Sequence, residues 1–390
     1  MPYAWGSRTA IAEITGRSAP TAEPEAELWM GAHPLAPSRV VRDGAARSLA
    51  EVIAGAPERE LGAAEVRAFG PRLPFLLKVL AAAEPLSLQA HPTAEQAQKG
   101  FDDEERRGIA RDAGHRNYKD PNHKPELLCA LTPFDALCGF RALEETIALF
   151  DLLGVAALDD VLAPLRARRD EQGLAETFER VMTTPEAARA PIVDAVIAAC
   201  GRDGSAFARE RAWAIRLARL YPGDVGVVSA LLLNLIRLEP GDAVYLGAGN
   251  LHAYLEGTGV EIMASSDNVL RGGLTRKHVD VPELMRVLEM RAGPVTPLSP
   301  RTLDGVERVY ETPAKEFRLS VLDLGSSPGA VHRRTSGPEI LLSTRGRARI
   351  SGASGDALRI EQGSSVFVPA STGAFSLEGE GIVFRATTNL

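Results

Sequence analysis

The stretch Phe75–Pro92, FLLKVLAAAEPLSLQAHP, is an apolar run that ends in Gln89-Ala90-His91. On an extended strand, residues i and i+2 point to the same face, so Gln89 and His91 would present an amide oxygen and an imidazole side by side. Ser87 joins them if the strand begins early enough. Lys78 lies inside the apolar run, which is an unusual place for a strongly hydrated ammonium group. Together these residues predict one wall of a polar site, although Gln89 and His91 taken alone are better explained as a strand end with a solvated histidine.

Length and composition narrow the class of protein. The chain has 390 residues, of which 45% are hydrophobic and 24% charged, as in ordinary globular proteins with two or three domains. No apolar run approaches the roughly 20 residues that span a bilayer, and the N-terminus does not read as a secretory signal. We therefore expect a cytoplasmic protein without a membrane partner. The net charge of -7 argues against nucleic acid as a partner but allows an anionic small molecule.

A second polar cluster of residues follows at His123-Lys124-Pro125-Glu126. In an extended chain Lys124 and Glu126 share a face, so a cation and a carboxylate would point the same way. Pro125 has no N–H and therefore predicts a sheet edge or the start of a strand. A surface Lys–Glu pair remains the alternative for this spacing.

A third cluster follows residue 239. His252 opens a predicted strand after a Gly-rich turn, and Glu261 lies in a further strand. Arg271 stands between a polar turn that contains Asp267 and the pair Gly272-Gly273. A cation in that position can reach a ligand; a solvated loop arginine is the alternative.

The periodicity of apolar residues divides the remaining sequence into a helical part and a β-rich part. Residues 142–236 place apolar side chains at helical spacing, whereas residues 295–390 contain short alternating runs that are typical of a β-sandwich or barrel. The three cysteines form no C-x-x-C pair and are predicted to be buried thiols. The chain is therefore predicted to be mainly β with a helical insertion.

Four blocks together resemble the type I mannose-6-phosphate isomerases of the cupin superfamily: AELWMGAHP, LPFLLKVLAAAEPLSLQAHP, YKDPNHKPEL and GNLHAYLEGTGVEIMASSDNVLRGGLTRKHVD. The resemblance implies a jelly-roll cupin core built from residues 1–141 plus 237–292. It also implies a helical insertion domain at 142–236 and a second, cupin-like C-terminal domain at 293–390 that lacks a metal site.

The same resemblance implies the roles of individual residues. One Zn²⁺ ion per chain is expected, with the ligands Gln89, His91, Glu126 and His252. The implied active-site arginine is Arg271, and the residues implied near the substrate are Lys78, Lys124 and Ser87. Glu261 and Asp267 are the candidate bases, and Lys124 could shuttle protons.

The activity implied is interconversion of D-mannose 6-phosphate and D-fructose 6-phosphate by proton transfer through a cis-enediol. A metal that polarises the carbonyl or the adjacent hydroxyl would make the C–H bond more acidic. The resemblance further implies a monomer that serves carbohydrate metabolism and GDP-mannose biosynthesis. Two alternatives stay open: an isomerase of another sugar or sugar phosphate, and a non-catalytic metal-binding cupin that binds sugar phosphates.

Overall fold

The computed structural model describes residues 1–390 apart from positions 43, 328, 336, 353 and 354. The strands of the described residues are, in chain order, β1 (Glu27–Met30), β2 (Arg39–Arg42), β3 (Ala45–Ser48), β4 (Phe75–Ala82), β5 (Gln89–Ala90), β6 (Glu126–Ala130), β7 (Phe134–Phe140), β8 (Leu233–Leu238), β9 (Ala243–Leu246), β10 (His252–Ala264), β11 (Leu270–Arg271), β12 (Arg301–Thr302), β13 (Glu307–Tyr310), β14 (Arg318–Asp323), β15 (Val331–Arg334), β16 (Glu339–Gly352), β17 (Ala357–Glu361), β18 (Ser365–Val368) and β19 (Ala374–Thr387). The α-helices are α1 (Ala10–Ile14), α2 (Leu49–Gly55), α3 (Pro57–Leu61), α4 (Ala63–Phe69), α5 (Ala94–Arg106), α6 (Leu143–Leu153), α7 (Asp159–Arg168), α8 (Glu171–Met182), α9 (Glu186–Cys200), α10 (Ala208–Leu220), α11 (Gly226–Leu231) and α12 (Val281–Val287).

Strand β10 is the centre of the first sheet. Its second half pairs with β4 and β6, and its first half pairs with β5 and β7. The change of partners coincides with a bulge between Tyr254 and Glu256 and with Gly257, whose φ is +139°. A Cβ atom at Gly257 would lie 2.5 Å from the Phe134 ring, so the chain needs glycine there. The bend lets one strand carry His252 in one layer and Glu261 in the other.

Strand β4 is buried along its whole length, which explains why its sequence does not alternate. Phe75, Leu77 and Val79 pack on one face, in a core shared with the second sheet through residues such as Phe317. The opposite face of β4 carries Leu80, which packs with residues of the first sheet, and Lys78 shares that face by strand alternation.

Helices α6 to α11 follow β7 and precede β8 in the chain. Their apolar side chains form a cluster with Leu88 and Ala90 around β5 and with Leu270 of β11. Because Ala90 faces the helices, the alternation of side chains turns Gln89 away from them. The helical layer and the β-rich core confirm the predicted mainly β class with a helical insertion.

The second sheet has the strand order β12-β13-β14-β19-β16-β17, with β15 and β18 paired to its long strands. Apolar side chains such as Leu341 and Val383 fill one part of its interior. The buried Arg385 guanidinium pairs with Glu339 at 2.6 Å and with Glu307 at 3.2 Å. Ser320 donates a further hydrogen bond of 2.5 Å to Glu307.

Several local features position these elements. Thr93 and Gln96 form a capping box at the start of α5: the Thr93 hydroxyl accepts from the N–H of Gln96, and the Gln96 side chain accepts from the N–H of Thr93. The stretch 41–72 contains α2, α3 and α4 and contributes to the hairpin of β2 and β3. Strand β8 begins at Leu233, before the predicted domain boundary at 237. Across the part of the chain that the structure describes, no helix has the length and apolarity that crossing a bilayer would require.

Candidate metal centre

His91, Glu126 and His252 converge inside the first sheet. Oε2 of Glu126 lies 3.4 Å from Nε2 of His91 and 3.4 Å from Nε2 of His252. All three side chains are buried, and their potential ligand atoms lie within 4.8 Å of one another. Such a set of two imidazoles and one carboxylate offers the ligand types that Zn²⁺ prefers.

Two backbone carbonyls set the orientation of the imidazoles. Nδ1 of His91 lies 2.8 Å from the carbonyl oxygen of Asn268, and Nδ1 of His252 lies 3.0 Å from that of Asn250. We assign the ring protons from these contacts: each Nδ1–H donates to a carbonyl, which leaves an unprotonated Nε2 facing Glu126. Hydrogen bonds of this kind hold metal-binding histidines in the required tautomer.

His91 is in the neutral form that can bind a metal cation. Burial, reinforced by the positive charge of Lys124, lowers the pKa of His91 to about 4, so the ring is neutral at physiological pH. Its Nε2 atom is buried and has no hydrogen-bond partner among the described residues. A buried lone pair beside a carboxylate oxygen is costly unless a cation lies between them. The residues present therefore fit a metal ion.

Glu126 has a second partner. Oε1 of Glu126 lies 2.9 Å from Nζ of Lys124, while Oε2 faces the imidazoles. Burial opposes ionisation of Glu126, but the Lys124 ammonium and the His91 ring outweigh it and hold the pKa of the carboxyl well below its usual range. The carboxylate is therefore charged, and Lys124 stands at the edge of the candidate metal centre.

Strand register places Gln89 and Arg271 beside this cluster. Gln89 pairs with His252 across β5 and β10, and with Arg271 across β5 and β11. Directly paired residues of antiparallel strands share a face, so the three side chains lie in one row. The side chains of Gln89 and the half-buried Ser87 make no hydrogen bond to any residue that the structure describes. The Gln89 amide oxygen is therefore free to act as a ligand.

Asn268 holds the polar turn in place, a role that was not predicted from the sequence. Its side-chain oxygen accepts from the N–H groups of Lys119 at 2.7 Å and Asp120 at 3.2 Å. Its side-chain nitrogen donates to the carbonyls of Asp120 and Asn122. The turn that orients His91 is thereby fastened to the segment that leads into Lys124. The only signal was the polar run Ser265–Asn268, which does not reveal its partners.

A second buried charge cluster lies on β4 and its neighbours. Nζ of Lys78 is 2.9 Å from Oε2 of Glu261 and 3.4 Å from Oε1 of Glu27, and it lies 5.5 Å from the centre of the Trp29 ring. Burial raises the pKa of Glu261, and Lys78 acts in the opposite direction. Burial works against the charge of Lys78, but Glu261 and Glu27 outweigh it and raise its pKa. Glu261 is thus bound to Lys78 and is not one of the three side chains of the His91 cluster.

Asp267 also lies outside that cluster of three. Its Oδ1 atom is 3.3 Å from Nε2 of His33, and its side chain is 40% exposed. The hydrogen bond from His33 lowers the pKa of Asp267, so the carboxylate is ionised at neutral pH. Both residues line a cavity of about 350 Å³ together with Lys119. The contact between His33 and Asp267 joins residues that lie far apart in the chain.

Three cations lie near one another without carboxylate partners. Within the described ranges, no ion pair involves Arg271, Lys119 or Lys277. Burial lowers the pKa of Arg271. Burial also lowers the pKa of Lys277, and the charges of Arg271 and Lys119 add to the effect. Although Lys119 also lies near the Asp267 carboxylate, three neighbouring cations without an ion pair make a preformed site for an anion. Lys119 and Lys277 were not predicted as site residues, although both lie in blocks that resemble the family.

Comparison with known proteins agrees with this geometry. The family model described as "Phosphomannose isomerase type I, catalytic domain" matches residues 1–143. The mannose-6-phosphate isomerase of Escherichia coli (strain K12) is 38% identical, covering 100% of this chain and 97% of that protein. Mannose-6-phosphate isomerase 1 of Arabidopsis thaliana is 36% identical, covering 90% of this chain and 81% of that protein.

Solved structures show the same fold. A crystal structure of a mutant phosphomannose isomerase from Salmonella typhimurium superposes with a TM-score of 0.90 at 34% identity, covering 100% of this chain and 97% of that one. A crystal structure of a mannose 6-phosphate isomerase bound with zinc and yttrium has a TM-score of 0.89 at 35% identity, with the same coverage.

Proposed function

This chain belongs to the type I phosphomannose isomerase family, and from that premise we propose that it is a zinc-dependent aldose–ketose isomerase. The substrates are D-mannose 6-phosphate and D-fructose 6-phosphate. The observation that carries the proposal is the buried Nε2 atom of His91, which has no protein partner and faces the Glu126 carboxylate beside His252.

The proposed zinc ligands are His91, Glu126, His252 and Gln89. Two neutral imidazoles, one neutral amide and one carboxylate leave a net charge of +1 on a bound Zn²⁺ ion. The ion would supply Lewis-acid polarisation of the sugar oxygens at C1 and C2. Lys124 pairs with the other oxygen of Glu126, which reduces the negative charge that the carboxylate would direct at the metal ion.

Transfer of the proton between C1 and C2 of the substrate needs a base that is ionised and accessible, and Asp267 is our first candidate for this role. Its pKa is lowered by the hydrogen bond from His33, and its side chain is 40% exposed. Glu261 remains a candidate, but its ion pair with Lys78 favours a role in holding that charge inside the barrel. Lys124 stands at the edge of the metal centre and is our candidate for proton transfer to the substrate oxygens.

Arg271, Lys119 and Lys277 are the groups that we assign to the substrate phosphate or to the negative charge of the enediolate. No described carboxylate forms an ion pair with any of the three, whereas Lys78 is already bound to two glutamates. Ser87 can add a neutral hydrogen bond from its unpaired hydroxyl. This anion site favours a sugar phosphate over a free sugar as substrate.

Further features of the protein are part of the same proposal. We infer a catalytic domain at 1–141 plus 237–292, a helical insertion at 142–236 and a C-terminal domain at 293–390, in a monomer. The helices α6 to α11 follow one another without an intervening strand, and the second sheet has an apolar cluster of its own, which supports this division. An activity of this kind would serve GDP-mannose biosynthesis in the cytoplasm.

The deciding experiment measures conversion of mannose 6-phosphate to fructose 6-phosphate as purified, after chelation and after Zn²⁺ is added back, with metal content read in parallel. We expect activity to disappear with the metal and to return with about one zinc per chain. Bound zinc without turnover of this or related sugar phosphates would favour a metal-binding cupin without catalysis. Full activity in verified metal-free protein would overturn the proposed role of the ligands.

A further inference from the structure

The loop that follows Arg271 lies between a metal-ligand strand and the helical insertion. On one side, Gly272 donates to the carbonyl of Leu88 at 2.8 Å, and Leu88 donates to the carbonyl of Gly273 at 3.1 Å. These bonds continue the pairing of β11 with β5, which places Arg271 opposite Gln89. The position of this loop therefore sets where the cations stand relative to the metal centre.

On its other side the loop is fastened by Asp224, which lies just before α11 of the insertion. One carboxylate oxygen accepts from the N–H of Gly226 at 2.7 Å, and the other accepts from the N–H of Thr275 at 3.0 Å. The backbones are also in direct contact: a Cβ atom at Gly226 would lie 2.5 Å from the nitrogen of Leu274. One at Gly273 would lie 2.7 Å from Cα of Gly226.

The loop conformation needs such a restraint. Leu274 has a φ of +52°, a left-handed conformation that a leucine rarely adopts and that persists only where its surroundings enforce it. Arg271 and Lys277 lie on either side of Leu274 and carry like charges. Burial lowers the pKa of Lys277 most, and the charge of Arg271 lowers it further. Repulsion between them would favour a more open loop if nothing held its middle.

We propose that Asp224, a residue of the helical insertion, is a positioning residue for the anion site: by holding Thr275 it fixes Arg271 and Lys277 at the spacing that binds the substrate phosphate. The inference rests on the proposed sugar-phosphate isomerase function. It makes the insertion a working part of the substrate site, although none of its residues needs to touch the sugar.

The chemistry of the two bonds supplies a sharp variant. Aspartate accepts two N–H groups, whereas asparagine has one acceptor oxygen and an amino group that cannot accept. Asp224→Asn therefore leaves either Gly226 or Thr275 unsatisfied. Asp224→Ser separates the two bonds, because a serine hydroxyl can accept from the N–H two residues on but is too short to replace the bond to Thr275.

The control is Asp170→Asn in the same insertion. Asp170 caps α8 by accepting from the N–H of Gly173 at 2.7 Å, a bond of the same length within the insertion itself. Asparagine keeps the one acceptor oxygen that this cap needs, so Asp170→Asn makes the same change of charge in the insertion without touching the loop.

The experiment measures kcat, KM for mannose 6-phosphate, the inhibition constant of inorganic phosphate and the bound zinc of the zinc-loaded enzyme. We expect Asp224→Asn and Asp224→Ser to raise KM and to weaken phosphate inhibition by about tenfold each, which corresponds to one lost charge-assisted hydrogen bond. Zinc content and kcat should change much less, and Asp170→Asn should leave KM at the native value.

Two outcomes would overturn the inference: a native KM in folded Asp224→Ser, or an equal rise of KM in Asp170→Asn. If the native protein does not turn over mannose 6-phosphate at all, the proposed function fails separately. Calorimetric binding of inorganic phosphate then tests Asp224 by itself, since weaker binding in Asp224→Ser would still support its positioning role and unchanged binding would refute it.

Discussion

Replacing Lys78 with methionine should lower the free energy of unfolding by about 3–5 kcal/mol, because it leaves buried carboxylates without their counter-ion. The side chains of Lys78, Glu261 and Glu27 are 8%, 3% and 9% exposed, so water cannot compensate. At the Lys78–Glu261 separation of 2.9 Å, the attraction is about 6 kcal/mol at an effective dielectric constant near 20. The pairing with Glu27 adds to this, and the cost of desolvating Lys78 reduces the total.

Removing both partners tests the origin of that loss. Glu261→Gln alone should also destabilise, because it leaves the Lys78 ammonium with the longer contact to Glu27. The double variant Lys78→Met/Glu261→Gln should lose less than the sum of the two single variants by about 1–3 kcal/mol. The double variant leaves Glu27 as the one buried carboxylate of the three residues without its partner, whereas Lys78→Met leaves both Glu27 and Glu261.

The assay is urea unfolding of the zinc-loaded protein at neutral pH, for native protein, both single variants and the double variant. Arg17→Met is the control, since its ion pair with Glu25 at 2.6 Å is 50% and 27% exposed and should be worth less than about 1 kcal/mol. Additive losses in the cycle, or a loss in Lys78→Met no larger than in the control, would refute the description of Lys78 as a buried, charged partner of Glu261.

Three further changes test other parts of the fold. Burial raises the pKa of Glu307, but Ser320 and Arg385 outweigh it and bring the pKa below its ordinary value of 4.5, so the charge of Glu307 stabilises the folded state above that pH. In urea unfolding at pH 7, Glu307→Gln should therefore have a lower free energy of unfolding than the native protein. The difference between the two proteins should shrink as the pH falls below 4.5. Thr93→Ala should cost about 1 kcal/mol and speed amide exchange in the first turn of α5, because it removes the capping box; a native exchange pattern would contradict this. Gly257→Ala should destabilise by about 3 kcal/mol in thermal unfolding, since a Cβ atom would lie 2.5 Å from the Phe134 ring at a φ of +139°; an unchanged melting temperature would show that β10 bends without needing glycine.

Local periodicity was enough to suggest a polar site around β5. The i and i+2 spacing marked Gln89 and His91 as a pair, and the structure places Gln89 opposite His252. Spacing could not reveal that carbonyls of Asn268 and Asn250 fix the imidazole tautomers. The contact of His91 to Asn268 joins residues far apart in the chain. Every residue has a backbone carbonyl, so the residue type does not show which carbonyl accepts the bond.

The case of Lys78 shows a similar limit. An ammonium within an apolar run indicated a special environment, but its partners come from strands on both sides of β4. Glu27 belongs to β1, and Glu261 pairs directly with Lys78 from β10. Only the strand register reveals that one lysine serves two carboxylates, because that register depends on how the whole sheet assembles.

Lys119, Lys277 and Asp224 carry no local signal at all, since charged residues in loops are ordinary in any soluble protein. Their meaning comes from the way the helical insertion is joined to the barrel. Its apolar cluster includes Leu88 and Ala90 around β5 and Leu270 of β11. The helices therefore pack against the two short strands that carry Gln89 and Arg271. The side chains of the His91, Glu126 and His252 cluster are oriented by groups outside the insertion, whereas the loop between Arg271 and Lys277 is held by Asp224 of the insertion. Changes in the insertion should therefore act on substrate affinity before they act on metal content, even though the insertion contributes no ligand.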